Sequence, residues 1–106
     1  MASIEWTEEA LDSVARHDVW RLRRGWEPIG LEIYFAVGAY FDRQDPEQPP
    51  QYMPGRLVRL DSTKADLRMV TIKVRSKLFR VFFRYIVTRQ TFEIVRVFHP
   101  RANFEG

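Results

Sequence analysis

"IKVRSKLFRVFFRYIVTRQ", residues 72–90, decides how this chain folds. It holds six cations (Lys73, Arg75, Lys77, Arg80, Arg84 and Arg89) and no carboxylate, with large apolar residues between them. Successive side chains of a β-strand point to opposite faces. Val70, Ile72 and Val74 therefore share one face, and Thr71, Lys73 and Arg75 take the other. On the following strand Phe79, Val81, Phe83, Tyr85 and Val87 make the row expected to be buried, with Arg80, Phe82, Arg84 and Ile86 opposite. Pleat geometry thus predicts a sheet with an apolar back and a cationic front.

Working outward, period-two patterning predicts strands over 67–75, 79–88 and 92–98, joined by turns at "SKL" and "RQT". Both rows of the last strand mix polar with apolar residues, so its facing stays open. "RLVRL" (56–60) reads as an edge strand and "DSTKAD" (61–66) as a turn-rich connection. "DRQDPEQPPQYMPG" (42–55) holds four prolines and reads as an extended loop. Nearer the N-terminus, "SIEW" (3–6) is a short β-prone segment. Thr7 then precedes Glu8 and Glu9, an N-cap followed by acids that the helix dipole favours. Ala10, Leu11, Val14 and Ala15 recur at helical spacing, so a first helix is expected from Glu8 toward Arg24, with Trp20 on its apolar side. Gly25 and Pro28 interrupt it. A second helix, Pro28 to Phe41, carries Leu31, Tyr34, Phe35 and Val37. The expected fold class is α+β: an N-terminal strand and a helical hairpin packed on an antiparallel sheet, in one domain spanning 1–106.

Composition narrows the function. The 106 residues are 45% hydrophobic and 14% aromatic, enough for one folded core. With no cysteine there are no disulfides or thiolate metal sites, which fits a reducing, cytoplasmic setting. "MASIEWTEEALD" has acids where a secretory signal needs a positive region, and "GLEIYFAVGAYF" is too short to span a bilayer. Charge is segregated beneath a net +3. Residues 1–66 carry eight Lys/Arg against twelve Asp/Glu; residues 67–106 carry nine against two. A basic C-terminal part of this kind suits a polyanionic partner. Two isolated histidines, His17 and His99, make no metal site. His17 reads as structural or solvated, and Trp6, Trp20 and Trp26 as core or hairpin packing.

Taken in order, "IEWTEEAL", a helical hairpin, "LRMVTIKVRSKLFRVFFRYIV" and "FEIVRVFHPRAN" resemble the RelE/ParE superfamily of bacterial toxins from toxin–antitoxin pairs. The resemblance covers nearly the whole chain apart from the proline-rich loop and "HDVWRLRRGWEPIG". It implies a ribosome-dependent endoribonuclease that cuts mRNA in the A site without a metal or other cofactor and so inhibits translation. Attack by a ribose 2′-OH requires proton removal, stabilisation of a dianionic phosphorane and protonation of the leaving 5′-oxygen; cations meet the second need. By resemblance, Lys73, Arg80, His99 and Arg101 are the catalytic candidates, with His99 as general acid. Arg75, Lys77, Arg84 and Phe104 are the RNA-binding candidates, Phe104 through stacking on a base. Thr71 stands where RelE has a second lysine, and no tyrosine follows Phe104. A cognate antitoxin is the implied protein partner. The ParE branch, which poisons DNA gyrase without hydrolysis, shares the pattern. A non-catalytic nucleic-acid-binding module is the reading from another class.

Overall fold

A computed structural model describes residues 3–44, 54–59 and 67–99. The elements run β1 (Ser3–Trp6), α1 (Glu8–Arg23), α2 (Gly30–Asp42), β2 (Arg56–Arg59), β3 (Leu67–Val74), β4 (Lys77–Ile86), a 3-10 turn (Val87–Arg89) and β5 (Thr91–Phe98). The strands form one sheet in the order β1-β5-β4-β3-β2. Neighbours are antiparallel except β1, which pairs with β5 in parallel through Ser3↔Thr91 to Trp6↔Ile94. The α+β class holds, with a mixed sheet and both helices on one side.

Local chemistry sets the helix ends. The Thr7 hydroxyl accepts from the Ala10 N–H at 3.1 Å and so caps α1. At the other end Gly25 has φ +75, and the Trp26 and Gly25 N–H groups donate to the Arg21 and Leu22 carbonyls at 3.0 Å. This left-handed glycine cap ends α1 at Arg23, one residue before the expected stop. Asp18 of α1 accepts from the Ile29 N–H at 2.9 Å, a cap supplied to α2 by the neighbouring helix. A β-carbon on Gly30 would collide with that carboxylate, so the close approach needs glycine.

The core is where both periodicities meet. Ala10 and Val14 of α1, and Ile33, Val37 and Phe41 of α2, lie on Val70, Ile72, Phe79, Val81, Phe83, Tyr85, Phe92, Ile94 and Val97. Phe41 anchors it, with ring centroids 4.8 Å from Phe83 and 4.9 Å from Phe92. Each such fully buried side chain contributes roughly 1.5–3 kcal/mol. Trp6 packs edge-on against Tyr34 at 4.8 Å, while Trp26 is half exposed beside Trp20.

Several expectations are corrected. Leu31 and Phe35 point outward, 72% and 76% exposed, because the sheet selects the Ile33–Val37–Phe41 stripe of a helix apolar on most sides. β3 stops at Val74, and the hairpin turns on Arg75 and Ser76 (φ 50 and 68), so Lys77 and Leu78 are strand residues, not turn residues. Two positive φ values in a two-residue loop match the twist of the flanking strands. β4 ends at Ile86, and Val87 enters the 3-10 turn, exposed rather than in the buried row. In β5 a bulge falls between the pairs Phe82↔Arg96 and Phe83↔Ile94, leaving Val95 as the extra residue. The buried positions therefore run Phe92, Ile94, Val97, and the parity of the strand changes midway.

Candidate functional site

The side of the sheet turned away from the helices carries the candidate site; Thr71 and Lys73 are exposed there, Arg80 and Phe98 are half-buried, and Phe82, expected on an open face, is buried. Across its middle, Thr71 of β3 lies opposite Arg80 of β4, which lies opposite Phe98 of β5. Lys73 is two residues beyond Thr71 on the same face, opposite Leu78, and exposed. On the other flank Met69 pairs with Phe82 and Phe82 with Arg96. The Phe82 and Phe98 rings meet edge to face at 5.4 Å. Arg80 Nη2 donates to the His99 carbonyl at 3.3 Å, which draws the guanidinium toward the end of β5. None of the described residues at these register positions is acidic. The result is a patch of ammonium and guanidinium groups interleaved with rings.

The expected site residues divide into groups. Lys73 and Arg80 are together on this face. Arg84 is on it as well, but its Nη1 lies 3.9 Å from Glu93 and its side chain is only 15% exposed, so that charge is partly answered. Arg75 is not on this face. Because the strand ends before it, its Nε and Nη2 turn toward the helical hairpin and bind Glu32, with Nη2 also 2.9 Å from Glu27. These carboxylates hold the guanidinium's pKa above its ordinary value, and the same hydrogen bonds hold Glu32 below its own. Lys77 shares its register position with Val74, at the hairpin tip on the helix side.

His99 is the main departure. The bulge at Val95 puts Arg96 and Phe98 on the front face, so the next side chain points back toward the helices. The His99 ring stacks on His17 at 4.8 Å and lies 4.9 Å from Trp20 and 6.0 Å from Phe79. The expectation of an imidazole beside Lys73 and Arg80 is corrected: His99 brings its carbonyl to that face and its ring to the other. His17, expected to be structural or solvated, is buried in the same ring cluster. Arg101 and Phe104 lie outside the described residues.

Two cations escaped the reading of the sequence. Arg56 of β2 faces front opposite Met69, and Arg96 does so opposite Phe82, with its guanidinium 4.9 Å from the Phe98 ring and 3.1 Å from Glu9. Arg56 could have been found from the alternation of "RLVRL"; Arg96 could not, since its facing depends on the bulge. Among the described residues no three His, Asp or Glu side chains gather as a metal-ligand set, and no helix is long and apolar enough to cross a membrane. Comparison with family models, curated proteins and solved structures gives no significant match to this chain.

Proposed function

We propose that this chain is a RelE/ParE-type toxin that cuts mRNA in the ribosomal A site and is held in check by a cognate antitoxin. The observation that carries the reading is the grouping of Lys73 and Arg80 beside Thr71 and Phe98 on the side of the sheet turned away from the helices, with no acid among the described residues at those register positions. Adjacent strands present positive charge at the spacing of one β-ladder, which suits a phosphate whose negative charge grows in the transition state. Arg80 and Lys73 would stabilise that charge, the resemblance gives Arg101 the same task, and Phe98 supplies a ring for a base. His99 could serve as general acid only after its ring leaves His17 and Trp20.

That last point favours a second reading. A ParE-like gyrase poison needs the cationic face for binding but needs no general acid. Inducing the protein in a bacterium separates the two: rapid loss of translation with cleaved mRNA marks the nuclease, and DNA breaks with filamentation mark the gyrase poison. Lys73→Ala and Arg80→Ala should each lower cleavage about tenfold or more while the fold is retained. Unchanged cleavage in both would remove the catalytic roles assigned to Lys73 and Arg80. No growth effect from a folded, expressed protein would leave a non-catalytic binding module.

A further inference from the structure

A second feature adjoins the cationic face without belonging to it. Between α1 and the last residues of β5 lies a cleft of about 370 Å³, lined by Arg16, His17, Trp20, Arg96, Phe98 and His99. Its volume sits at the small end of the roughly 300–1,000 Å³ typical of small-molecule sites. It exists because β1 is only four residues long and leaves the second half of β5, paired with β4 on one side, without a strand neighbour on the other. Helix α1 covers that edge instead: the Ser13 hydroxyl accepts from the Val97 N–H at 3.0 Å and donates to the Ala10 carbonyl at 2.7 Å. A helix laid along a strand edge cannot fill the space as another strand would, and side chains line the gap.

The lining has a specific chemistry. Trp20 and His99 offer ring surfaces, and Arg24, outside the lining, stacks on Trp20 at 4.0 Å. Two guanidinium groups flank the opening. Arg96 shares its charge with Glu9, whereas Arg16 has no ion pair among the described residues. At the back stands His17, 9% exposed, with neither ring nitrogen hydrogen-bonded. A buried polar atom of this kind normally has a partner. Burial chiefly, then the positive charge of His99 and Arg21 against the opposing Asp18, lowers its pKa to about 4, so the ring is neutral at physiological pH. A neutral imidazole holds one donor and one acceptor.

We propose that this cleft binds a nucleotide, with the base against the Trp20 and His99 rings, its polar edge on the His17 nitrogens, and its phosphate on Arg16 and Arg96. An aliphatic acid would meet the arginines but leave the rings and the imidazole unused. An uncharged aromatic would do the reverse. Phe98 also lies opposite Arg80, so the cleft opens beside the cationic patch. The nucleotide is therefore either free or one unstacked residue of an RNA strand lying on that patch. Only the second source rests on the proposed function above.

The full-length protein is titrated with purine and pyrimidine nucleoside 5′-monophosphates, with adenosine, with inorganic phosphate and with a short single-stranded RNA. Tryptophan fluorescence and calorimetry follow binding. Saturable mononucleotide binding is expected, with adenosine and inorganic phosphate each weaker by about tenfold or more. His17→Phe should weaken mononucleotide binding about tenfold. Arg16→Ser, an exposed change that leaves the core untouched, should narrow the difference between nucleotide and nucleoside. Lys73→Ala should leave mononucleotide binding intact, so failure of the cleft and failure of the cationic face give different results. RNA that competes with the mononucleotide assigns the site to a strand; RNA that binds without competing assigns it to the free nucleotide. Absence of saturable mononucleotide binding, or wild-type affinity in both His17→Phe and Arg16→Ser, overturns the proposal.

Discussion

Replacing His17 with phenylalanine should flatten the acid limb of this protein's stability curve. In the native state burial, together with the positive charge of His99 and Arg21, pulls the His17 pKa from 6.5 to about 4, with Asp18 acting in the opposite sense. In the unfolded chain the ring titrates near its ordinary value. Between pH 6.5 and about 4 the unfolded state therefore binds the additional proton, and stability falls as the pH falls through that window. Above it both states are neutral and nothing is lost. The difference amounts to roughly 2–3 kcal/mol at the acid end, allowing for hydration through the cleft. Phenylalanine keeps the ring contacts with Trp20, Phe79 and His99 and cannot take a proton. The assay is urea unfolding followed by far-ultraviolet circular dichroism across that window, with the variant's free energy subtracted from the wild type's. Groups remote from His17 are common to both proteins and cancel in the difference. The variant should gain on the wild type steadily as pH falls; two curves that stay parallel would refute a buried, neutral His17.

Other expectations follow from single contacts. Ser13→Ala leaves the Val97 N–H at the strand edge without its acceptor and should cost about 1–3 kcal/mol, with faster hydrogen exchange at the Val97 amide. Arg75→Gln should raise the Glu32 pKa toward the usual carboxylate range in an NMR titration. In the wild type the Arg75–Glu32 tie holds at neutral pH and is lost as pH falls through the lowered Glu32 pKa, so exchange across the helical hairpin should increase there. Gly30→Ala should displace the Asp18 carboxylate from the Ile29 N–H, costing about 1 kcal/mol in thermal or chemical unfolding.

What the sequence determined by itself is everything that depends on neighbours along the chain. Period two between Val70 and Tyr85 sets the strands and separates the Phe79–Val81–Phe83 row from Thr71, Lys73 and Arg80, because pleat parity is a local property. Thr7 and Gly25 mark helix α1 for equally local reasons. What only the tertiary structure decided is where parity breaks and which side of an apolar helix is covered. α2 is apolar on most sides, and only the sheet distinguishes Ile33 from Phe35. The turn at Arg75 and Ser76 moves one expected front-face cation to Glu27 and Glu32, acids more than forty residues earlier in the chain. The bulge at Val95 settles the candidate site. Thr7 places its hydroxyl 3.0 Å and 3.1 Å from the Ile94 and Val95 carbonyls, a contact across 87 and 88 residues, and bridges the strand where its facing changes. That shift by one residue puts Arg96 and Phe98 beside Arg80 and turns the His99 ring onto His17. Alternation within "FEIVRVFH" cannot encode it, because the residue that clamps the bulge lies at the other end of the chain.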